Sequence, residues 1–286
     1  MQFCQWKLFS LMKHNITVIP VGGLANRLRA IAAAYALAES LDCSLKVVWS
    51  KDDGLMANYS DIFRTDKIPF ELIEISAFKN RLLYEVPRKR NLFISAIYQN
   101  LSPDKFIFHT GPMSSFPSLE DYKMILKNQN LVISSGSAFI DFKKDNFDRL
   151  FKVLPVIESK KAEILNFRNP IISCHIRRTD NHDSIKNSPL VLFESKVKEE
   201  LENNPSASIF IASDDEGVKS HFLEKFGSNI LINPAPASRK TKEGIIDAMA
   251  EMLILADSPR IYGSFWSSYS EIAALMGDSE LIILKN

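Results

Sequence analysis

The chain has 286 residues, enough for two medium-sized domains or one large one. Apolar residues make up 46% and charged residues 24%, an ordinary globular balance. The net charge of +1 gives no broad electrostatic field of the kind that indicates a nucleic-acid or anionic-membrane partner. Three widely spaced cysteines without a C-x-x-C pair predict neither a disulfide framework nor a zinc site.

The first third of the chain predicts a parallel sheet. Residues 1–15 hold an apolar patch too short for a membrane span, so we expect a disordered lead or a surface segment there. An apolar run at 16–20 is typical of a buried strand, and a glycine pair at 22–23 is typical of a turn. Helical periodicity over 24–41 and a strand at 45–49 complete a β-turn-α-β unit.

The middle of the chain, about 50–130, has weaker patterns. A loop is predicted over 51–63, and strands are predicted over 70–75 and 131–135. The densest charge run, at 88–90 (RKR), is typical of a solvated loop. The alternative is a surface that faces an acceptor or binds an anion.

From about residue 150, helical and strand patterns alternate, which is typical of a doubly wound α/β domain. The whole chain is therefore predicted to be an α/β protein of two Rossmann-like lobes, 1–150 and 151–286, with a cleft between them. The predicted strands of the second lobe span 171–174, 208–212, 229–232, 260–263 and 280–284, and its predicted helices span 158–167, 190–203, 216–226, 244–256 and 267–275.

The segment 175–180 (HIRRTD) carries the most informative side chains of the chain, and it directly follows a predicted strand. Ligands bind outside the carboxyl ends of strands in open α/β sheets. The adjacent guanidiniums of Arg177 and Arg178 offer planar forks of donors that match phosphate oxygens. We therefore expect a phosphate site here, and the simpler alternative is a surface ion-pair cluster with Asp180.

Two further predicted strand ends carry groups that are suited to bind a ligand. Residues 22–27 (GGLANR) are suited to hold an anion at a helix N-terminus, although they also fit a plain tight turn. Asp214 and Asp215 are suited to bind a ribose or a base edge, or to orient an arginine. The structural alternative is that Ser213 or Asp214 caps the next helix.

The last two constellations lie near the C-terminus. Asp247, predicted in the first turn of a helix, is suited to bind a ligand or only to complement the helix dipole. Ser267 and Ser268 are suited to hold a phosphate or to cap a helix. The dinucleotide fingerprint, the P-loop and the D-x-D pattern of metal–nucleotide bridging are all missing, which counts against a P-loop sulfotransferase or phosphotransferase.

Together these segments resemble the GDP-fucose-dependent fucosyltransferase superfamily, which includes α1,6-, α1,2- and protein O-fucosyltransferases. The shared patterns are G-G-x-x-N-[RQ], H-x-R-[RT]-x-D and S-x-[FW]-S-S, here at 22–27, 175–180 and 264–268. The α1,6 type is the most similar, because it carries H-x-R-R-T-D. The resemblance implies a GT-B-like fold and an inverting transfer of L-fucose from GDP-fucose to a glycan or glycolipid hydroxyl, without a metal or other cofactor.

The resemblance also implies roles for individual residues. Arg177 would bind the β-phosphate and stabilise charge on the leaving GDP, and such stabilisation is often the largest catalytic effect. His175 and Asp247 would contact guanosine. The other implied donor-binding residues are Gly23, Asn26, Arg27, Arg178, Asp180, Asp214, Asp215, Ser267 and Ser268.

The α1,6 pattern breaks directly after Asp180. Asn181 stands where that type has a lysine, and Ile185 stands where a glutamate is expected as the base. His182 and Asp183 are nearby substitutes, since a general base must reach the acceptor hydroxyl. The alternatives are a non-catalytic GDP-sugar-binding protein of the same fold and a transferase that uses another GDP-sugar.

Unlike animal members of the superfamily, the sequence has neither a recognisable secretory signal nor a cysteine framework. We therefore predict a bacterial, cytoplasmic enzyme of surface-glycan assembly, with at most peripheral membrane association and no nucleic-acid partner.

Overall fold

A computed structural model describes residues 14–110, 115–179 and 182–286. They form two compact units: unit 1 contains 14–54 and 65–151, and unit 2 contains 55–64 and 152–286. Each unit is a parallel sheet with helices, so the predicted α/β class with two Rossmann-like lobes is confirmed. Of the lead predicted over 1–15, residues 1–13 lie outside the described residues, and Asn15 belongs to the first strand instead. The assignment of one lobe to the acceptor and the other to the nucleotide sugar stays a prediction.

Unit 1 contains a five-stranded sheet. Its strands are β1 (Asn15–Pro20), β2 (Ser44–Lys51), β3 (Glu71–Ser76), β4 (Lys105–His109) and β5 (Leu131–Ser135), and its helices are α1 (Leu24–Ser40), α2 (Ala77–Leu83), α3 (Ile94–Leu101), α4 (Leu119–Leu126) and α5 (Lys144–Leu150). The strand order is β3-β2-β1-β5-β4, and every pair is parallel. Ile16 at the centre of the sheet is opposite both Leu45 and Leu131.

Unit 2 contains a second five-stranded parallel sheet. Its strands are β6 (Ile172–Ile176), β7 (Ile209–Ser213), β8 (Ile230–Leu231), β9 (Arg260–Ser264) and β10 (Glu280–Leu284), and its helices are α6 (Pro155–Leu165), α7 (His182–Asn187), α8 (Leu190–Asn203), α9 (Glu216–Phe226), α10 (Lys242–Asp257) and α11 (Ser268–Gly277). The strand order is β10-β9-β6-β7-β8. β6 therefore lies at the centre, where its apolar residues such as Cys174 and Ile176 are fully buried.

The segment 55–64 packs with unit 2 although it precedes most of unit 1 in the chain. Phe63 forms an antiparallel bridge with Val153, and the Met56 N–H donates to the Arg239 carbonyl at 3.0 Å. The sequence carries no sign of this excursion, because the contacts are backbone hydrogen bonds between residues that are far apart in the chain.

The turn between β1 and α1 depends on glycine. Gly22 has a φ of +86°, which is unfavourable for any residue with a Cβ atom. A Cβ atom at Gly22 would also lie 3.0 Å from Nδ2 of Asn26. The helix that follows is alanine-rich and buried on most sides, so it packs closely on the sheet.

The weakly patterned middle contains elements that the sequence did not predict: α2, α3, β4, α4 and α5, each of five to eight residues. Such short elements leave little periodicity to detect. Several predicted strand ends differ from the structure by one or two residues, and one of these differences affects the candidate site. β6 continues to Ile176 instead of ending at 174, so His175 lies inside the strand.

Candidate functional site

The polar strand ends of unit 2 meet at one edge of its sheet. Because β6 lies between β7 and β9 in a parallel sheet, the residues that follow these three strands are neighbours. The structure thus brings together five groups from three segments that are distant in sequence: His175, Arg177, Asp214, Ser264 and Ser267.

Asp214 organises the turn after β6. Its Oδ1 accepts the backbone N–H of Arg178 at 2.7 Å, and its Oδ2 accepts the hydroxyl of Thr179 at 2.7 Å. Burial raises the pKa of Asp214, but these two hydrogen bonds and the charge of Arg177 outweigh it, so that the pKa is lowered. Asp214 is therefore an ionised carboxylate that fixes the conformation of the turn.

Arg177 lies beside this carboxylate. Its Nε is 3.8 Å from Oδ2 of Asp214, and the two side chains are only 18% and 23% exposed. Its backbone N–H donates to Oγ of Ser264 at 3.0 Å, which ties the turn to the end of β9. The guanidinium is thus held in a partly desolvated position, where its field is stronger than in water.

Arg178 braces the same turn. Its guanidinium donates to the carbonyls of Arg177 at 3.0 Å and Ser188 at 2.7 Å. Burial lowers the pKa of Arg178, and the nearby charges of Asp214 and Asp215 oppose that shift. These contacts fit a supporting residue, and direct donor binding by Arg178 stays a prediction.

His175 is a buried, neutral imidazole. Burial lowers its pKa to about 4, and the charge of Arg177 acts in the same direction while Asp214 opposes it. Its Nδ1 is 3.2 Å from Oγ of Ser267, and its ring lies 4.7 Å from that of Tyr269. The hydroxyl of Tyr269 donates to the carbonyl of Ala248, so this stack links β6 to α10 and α11.

The turn before α11 is rich in hydroxyl groups. Ser267 is the N-cap residue of α11, but its side chain makes no capping bond and contacts His175 instead. Ser268 is the first residue of the helix, where backbone N–H groups favour an anion. Trp266, 69% exposed, has a φ of 56°, a left-handed conformation that is costly for a bulky residue and typical of functional sites.

The capping alternatives predicted for β7 are wrong. Asp215, not Ser213 or Asp214, caps α9, since its side chain accepts the N–H of Gly217 at 2.8 Å. The Ser213 hydroxyl instead donates to the carbonyl of Ile176 at 2.7 Å. Asp215 therefore has a clear structural role, and its contact with the sugar-nucleotide donor stays a prediction.

The predicted position of Asp247 in a first helical turn is also wrong. α10 begins at Lys242 and is capped by Thr241, so Asp247 lies in the second turn. Its carboxylate is 3.7 Å from Nζ of Lys160 on α6, and its side chain is 15% exposed. It precedes Ala248, the residue whose carbonyl accepts from the Tyr269 hydroxyl.

A buried polar cluster near the end of β8 was not predicted. Lys219, only 1% exposed, donates from Nζ to the carbonyls of Asn233 and Ala235, each at 3.2 Å. Burial raises the pKa of Glu251 on α10 to about 7, with the charge of Lys219 opposing the shift. A lysine and a glutamate on amphipathic helices give no sequence signal that they will be buried.

The glycine turn of unit 1 presents its predicted residues differently. Gly23 is the N-cap of α1, and Asn26 is half-buried in the first turn. Arg27 is fully buried: its Nε donates to the Gly22 carbonyl at 2.8 Å and its Nη2 to Asp52 at 2.7 Å. These contacts give Arg27 a structural role, and donor contacts by all three residues stay predictions.

The residues proposed as bases lie on α7. His182 and Asp183 are both exposed at its start, and Asp180 lies outside the described residues. Within 14–110, 115–179 and 182–286, no cluster of three or more histidine, cysteine or acidic side chains is arranged to hold a metal ion.

No family model matches this sequence, and no curated protein is similar to it. Solved structures are similar. NodZ α1,6-fucosyltransferase soaked with GDP-fucose has 15% identity and a TM-score of 0.60, with 93% of each chain covered. NodZ from Bradyrhizobium has 14% identity and a TM-score of 0.59, again with 93% of each chain covered. A mutant of Arabidopsis thaliana FUT1 in complex with GDP has 14% identity and a TM-score of 0.60. The match covers 94% of this chain and 70% of the FUT1 chain.

The chain has the fold of these fucosyltransferases. The fold resemblance predicted from three short motifs is therefore confirmed, and with it the GT-B-like architecture. Identities of 14–15% carry the fold alone, so the chemistry of the site rests on its residues.

Proposed function

We propose that this protein is a glycosyltransferase that transfers L-fucose from GDP-fucose to a glycan or glycolipid hydroxyl, with inversion and without a metal ion. The observation that carries the proposal is the position of Arg177 beside Asp214 at the end of the central strand of unit 2. The proposal is supported by NodZ, which has the same fold and was crystallised with GDP and soaked with GDP-fucose.

In the proposed reaction the acceptor oxygen forms a bond to C1 of fucose while the bond from C1 to the β-phosphate oxygen breaks. The electron pair of that bond leaves with GDP, and the hydroxyl proton passes to a base. Arg177 places fixed donors where negative charge develops on the leaving phosphate. Asp214 keeps the guanidinium oriented, because it is ionised and bonded to the same turn.

The rest of unit 2 supplies the proposed nucleotide contacts. A neutral His175, whose Nδ1 contacts Ser267, would contact guanosine through Nε2, and Asp247 offers carboxylate oxygens that match the N–H groups of guanine. Ser267, Ser268 and the N-terminus of α11 would hold phosphate oxygens. Gly23 and Asn26 of unit 1 are proposed to contact the donor through the glycine turn.

The proposed base is Asp183 or His182, since both are exposed at the start of α7 and able to accept a proton. Asp183→Asn and His182→Gln would be assayed separately for turnover with GDP binding as the control. The variant that loses turnover while it still binds GDP identifies the base.

The decisive experiment is calorimetric titration with GDP, UDP and ADP, with and without magnesium, on the wild type, Arg177→Ala and Arg177→Lys. We expect selectivity for GDP, no need for magnesium, and a loss in Arg177→Ala that the lysine repairs only in part, because it lacks the planar fork. Turnover of Arg177→Ala should fall by about 10²–10³-fold.

The matched control is Arg168→Ala, which removes a guanidinium from the opposite end of β6, where it donates to the Ser228 carbonyl. It should leave binding unchanged. A preference for UDP, or equal binding by Arg177→Ala and the wild type, would contradict the proposal.

The alternatives are a GDP-sugar-binding protein without catalysis and a transferase for another GDP-sugar. The observation that favours the first is Ile185, a side chain that cannot accept a proton, in the position where a glutamate is expected. GDP-fucose and GDP-mannose would be compared for binding and for GDP release with a mixed glycan acceptor. Binding without GDP release indicates the first alternative, and release from GDP-mannose alone indicates the second.

A further inference from the structure

Helix α3 in unit 1 turns its apolar face outwards. Ile94, Ile97, Tyr98 and Leu101 follow the i, i+3, i+4, i+7 spacing that places them on one side of a helix. Ile97 is 63% exposed and Leu101 is 81% exposed, whereas Ser95 on the other side is fully buried. A soluble helix normally has the opposite arrangement.

Specific hydrogen bonds hold α3 in this orientation. The Ser95 hydroxyl accepts from Nδ2 of Asn91 at 3.0 Å. The Gln99 side chain donates to the carbonyls of Leu83 and Glu85 at 3.1 and 3.0 Å. The inward polar side is therefore satisfied, and the outward apolar side is a stable feature of the fold.

The exposed apolar surface extends beyond α3. Leu92 and Phe93, which precede the helix, are 77% and 52% exposed, and Phe78 on α2 is 68% exposed. Among the described residues, seven of the fifteen large exposed apolar side chains lie between 78 and 101, so they are concentrated in one segment. We call this the apolar patch; its residues are Phe78, Leu92, Phe93, Ile94, Ile97, Tyr98 and Leu101.

Basic side chains accompany the apolar patch. Lys79, Arg88 and Lys89 are exposed, and Arg90 pairs with Glu85 at 2.6 Å. The segment 77–105 has six basic and two acidic side chains, a net charge of +4 in a chain whose total is +1. Positive charge is therefore concentrated where apolar side chains are exposed.

We propose that the apolar patch and the basic residues 79 and 88–90 dock unit 1 on the surface of an anionic lipid bilayer. Apolar side chains enter the boundary between headgroups and acyl chains while arginine and lysine remain with the anionic headgroups. A second copy of the chain fits less well, because two such surfaces packed on each other would bring like charges together. No helix in the described ranges is long and apolar enough to cross a bilayer.

The test is flotation of the full chain with phosphatidylcholine vesicles, with and without about 30% phosphatidylglycerol. We expect binding to the anionic vesicles only, and a steep loss of binding between about 0.05 and 0.5 M NaCl. Ile97→Gln/Leu101→Gln should lower the partition coefficient at least tenfold, because two inserted side chains are removed. Arg88→Gln/Lys89→Gln should lower it by roughly 30-fold, about fivefold for each basic residue near the surface.

The matched controls carry the same substitutions elsewhere. Val191→Gln/Phe167→Gln replaces exposed apolar side chains of unit 2, and Lys198→Gln/Lys123→Gln replaces exposed lysines. Both should bind vesicles like the wild type. Absence of binding to anionic vesicles at low salt, or equal binding by patch and control variants, overturns the proposal. So does a wild-type dimer in sedimentation velocity that Ile97→Gln/Leu101→Gln dissociates, since the patch would then be a contact between copies.

Discussion

At the residue scale, burial and partners set the charge states of the site. His175 lies near the end of β6 and Asp214 directly follows β7, yet the imidazole is neutral and the carboxylate is ionised. Burial of the imidazole, with the charge of Arg177, outweighs the opposing charge of Asp214, whereas the carboxylate accepts two short hydrogen bonds beside a guanidinium. The site therefore combines a fixed negative and a fixed positive group with a neutral one.

Asp214→Asn tests this arrangement. The amide keeps the shape of the side chain but presents N–H where Asp214 accepts from Arg178 or Thr179, so the free energy of unfolding at pH 7 should fall by about 1–3 kcal/mol. Because the folded pKa of Asp214 is lowered, its stabilising effect is present above the unfolded pKa of about 3.9. It is lost as the pH falls through the lower folded pKa.

Urea unfolding at a series of pH values measures this difference. The gap between the wild type and Asp214→Asn should be constant from pH 7 to about 5 and should close only in stronger acid. Asp257→Asn, whose carboxylate is 58% exposed, is the control and should have little effect. A gap that closes near neutral pH would show that the carboxylate is not held as described.

At the element scale, helix packing positions the turns that carry the site. α10 and α11 lie against each other so closely that a Cβ atom at Gly277 would be 1.6 Å from the Ala256 carbonyl oxygen. That contact fixes α11, whose N-terminus bears Ser267 and Ser268. Near β8, Lys219 joins α9 to the segment before α10.

Gly277→Ala should destabilise the protein by about 1–3 kcal/mol or more, because a backbone atom has to move to admit the methyl group. Gly217→Ala is the matched control in helix α9, where the nearest atom to a new Cβ is a flexible carboxylate oxygen of Asp215 at 3.1 Å. Thermal unfolding of both variants compares them. Equal effects would mean that the α10–α11 contact is looser than described.

Lys219→Met should lower the free energy of unfolding by about 3–5 kcal/mol, because it removes a buried cation that pairs with Glu216 at 3.2 Å and whose charge offsets that of the buried Glu251. Lys219→Met/Glu251→Gln should be less destabilised than the two single variants together, since the charge that lost its partner is gone. The exposed pair Lys196→Met/Glu199→Gln on α8 is the control, and its effects should add. Additive losses at Lys219 and Glu251 would show that the two side chains do not interact.

Glu251 also predicts a pH effect. Its pKa is raised to about 7, above the unfolded value of about 4.3, so its stabilising contribution is full below that unfolded value and lost as the pH rises through 7. The stability of Glu251→Gln relative to the wild type should therefore increase as the pH rises from about 4.3 to about 7, and the gain should be complete above pH 7. A constant difference from pH 5 to pH 9 would contradict the raised pKa.

At the scale of the whole molecule, each unit contains a partly or fully buried histidine whose pKa is lowered to about 4 by burial. These are His109 in unit 1, stacked 4.1 Å from Phe116, and His175 in unit 2. A lowered pKa adds stability above the unfolded value of about 6.5, and that stability is lost as the pH falls towards 4. Both units therefore lose stability in the same acidic range.

Chemical denaturation between pH 8 and 4 tests this expectation. His109→Phe and His175→Asn should each reduce the dependence of stability on pH in that range, and the double variant should reduce it further. The exposed His182→Gln should leave the dependence unchanged. A wild-type slope retained in both single variants would place the acid sensitivity elsewhere.

Much of the molecule could be predicted from local patterns. The strand-turn-helix over 15–40 and the alternating elements of unit 2 have clear periodicity, and three motifs led to the correct fold. The segment 77–126 could not be predicted, because its helices are short and α3 exposes its apolar face. The amphipathic pattern of α3 alone predicts that its apolar side is buried, whereas in the structure this side faces solvent.

The sequence by itself determined which chemical groups follow the strands. A parallel sheet then brings these groups to one edge, because all its strands end on the same side. Arg177, Asp214 and Ser267 were identified in this way. Only the tertiary structure decided the environment of individual side chains: that Arg27 is buried within the fold, that Asp215 caps a helix, and that the charge of Lys219 acts on the buried Glu251. Those outcomes depend on which distant atoms share a desolvated space, and no local pattern in the chain encodes that.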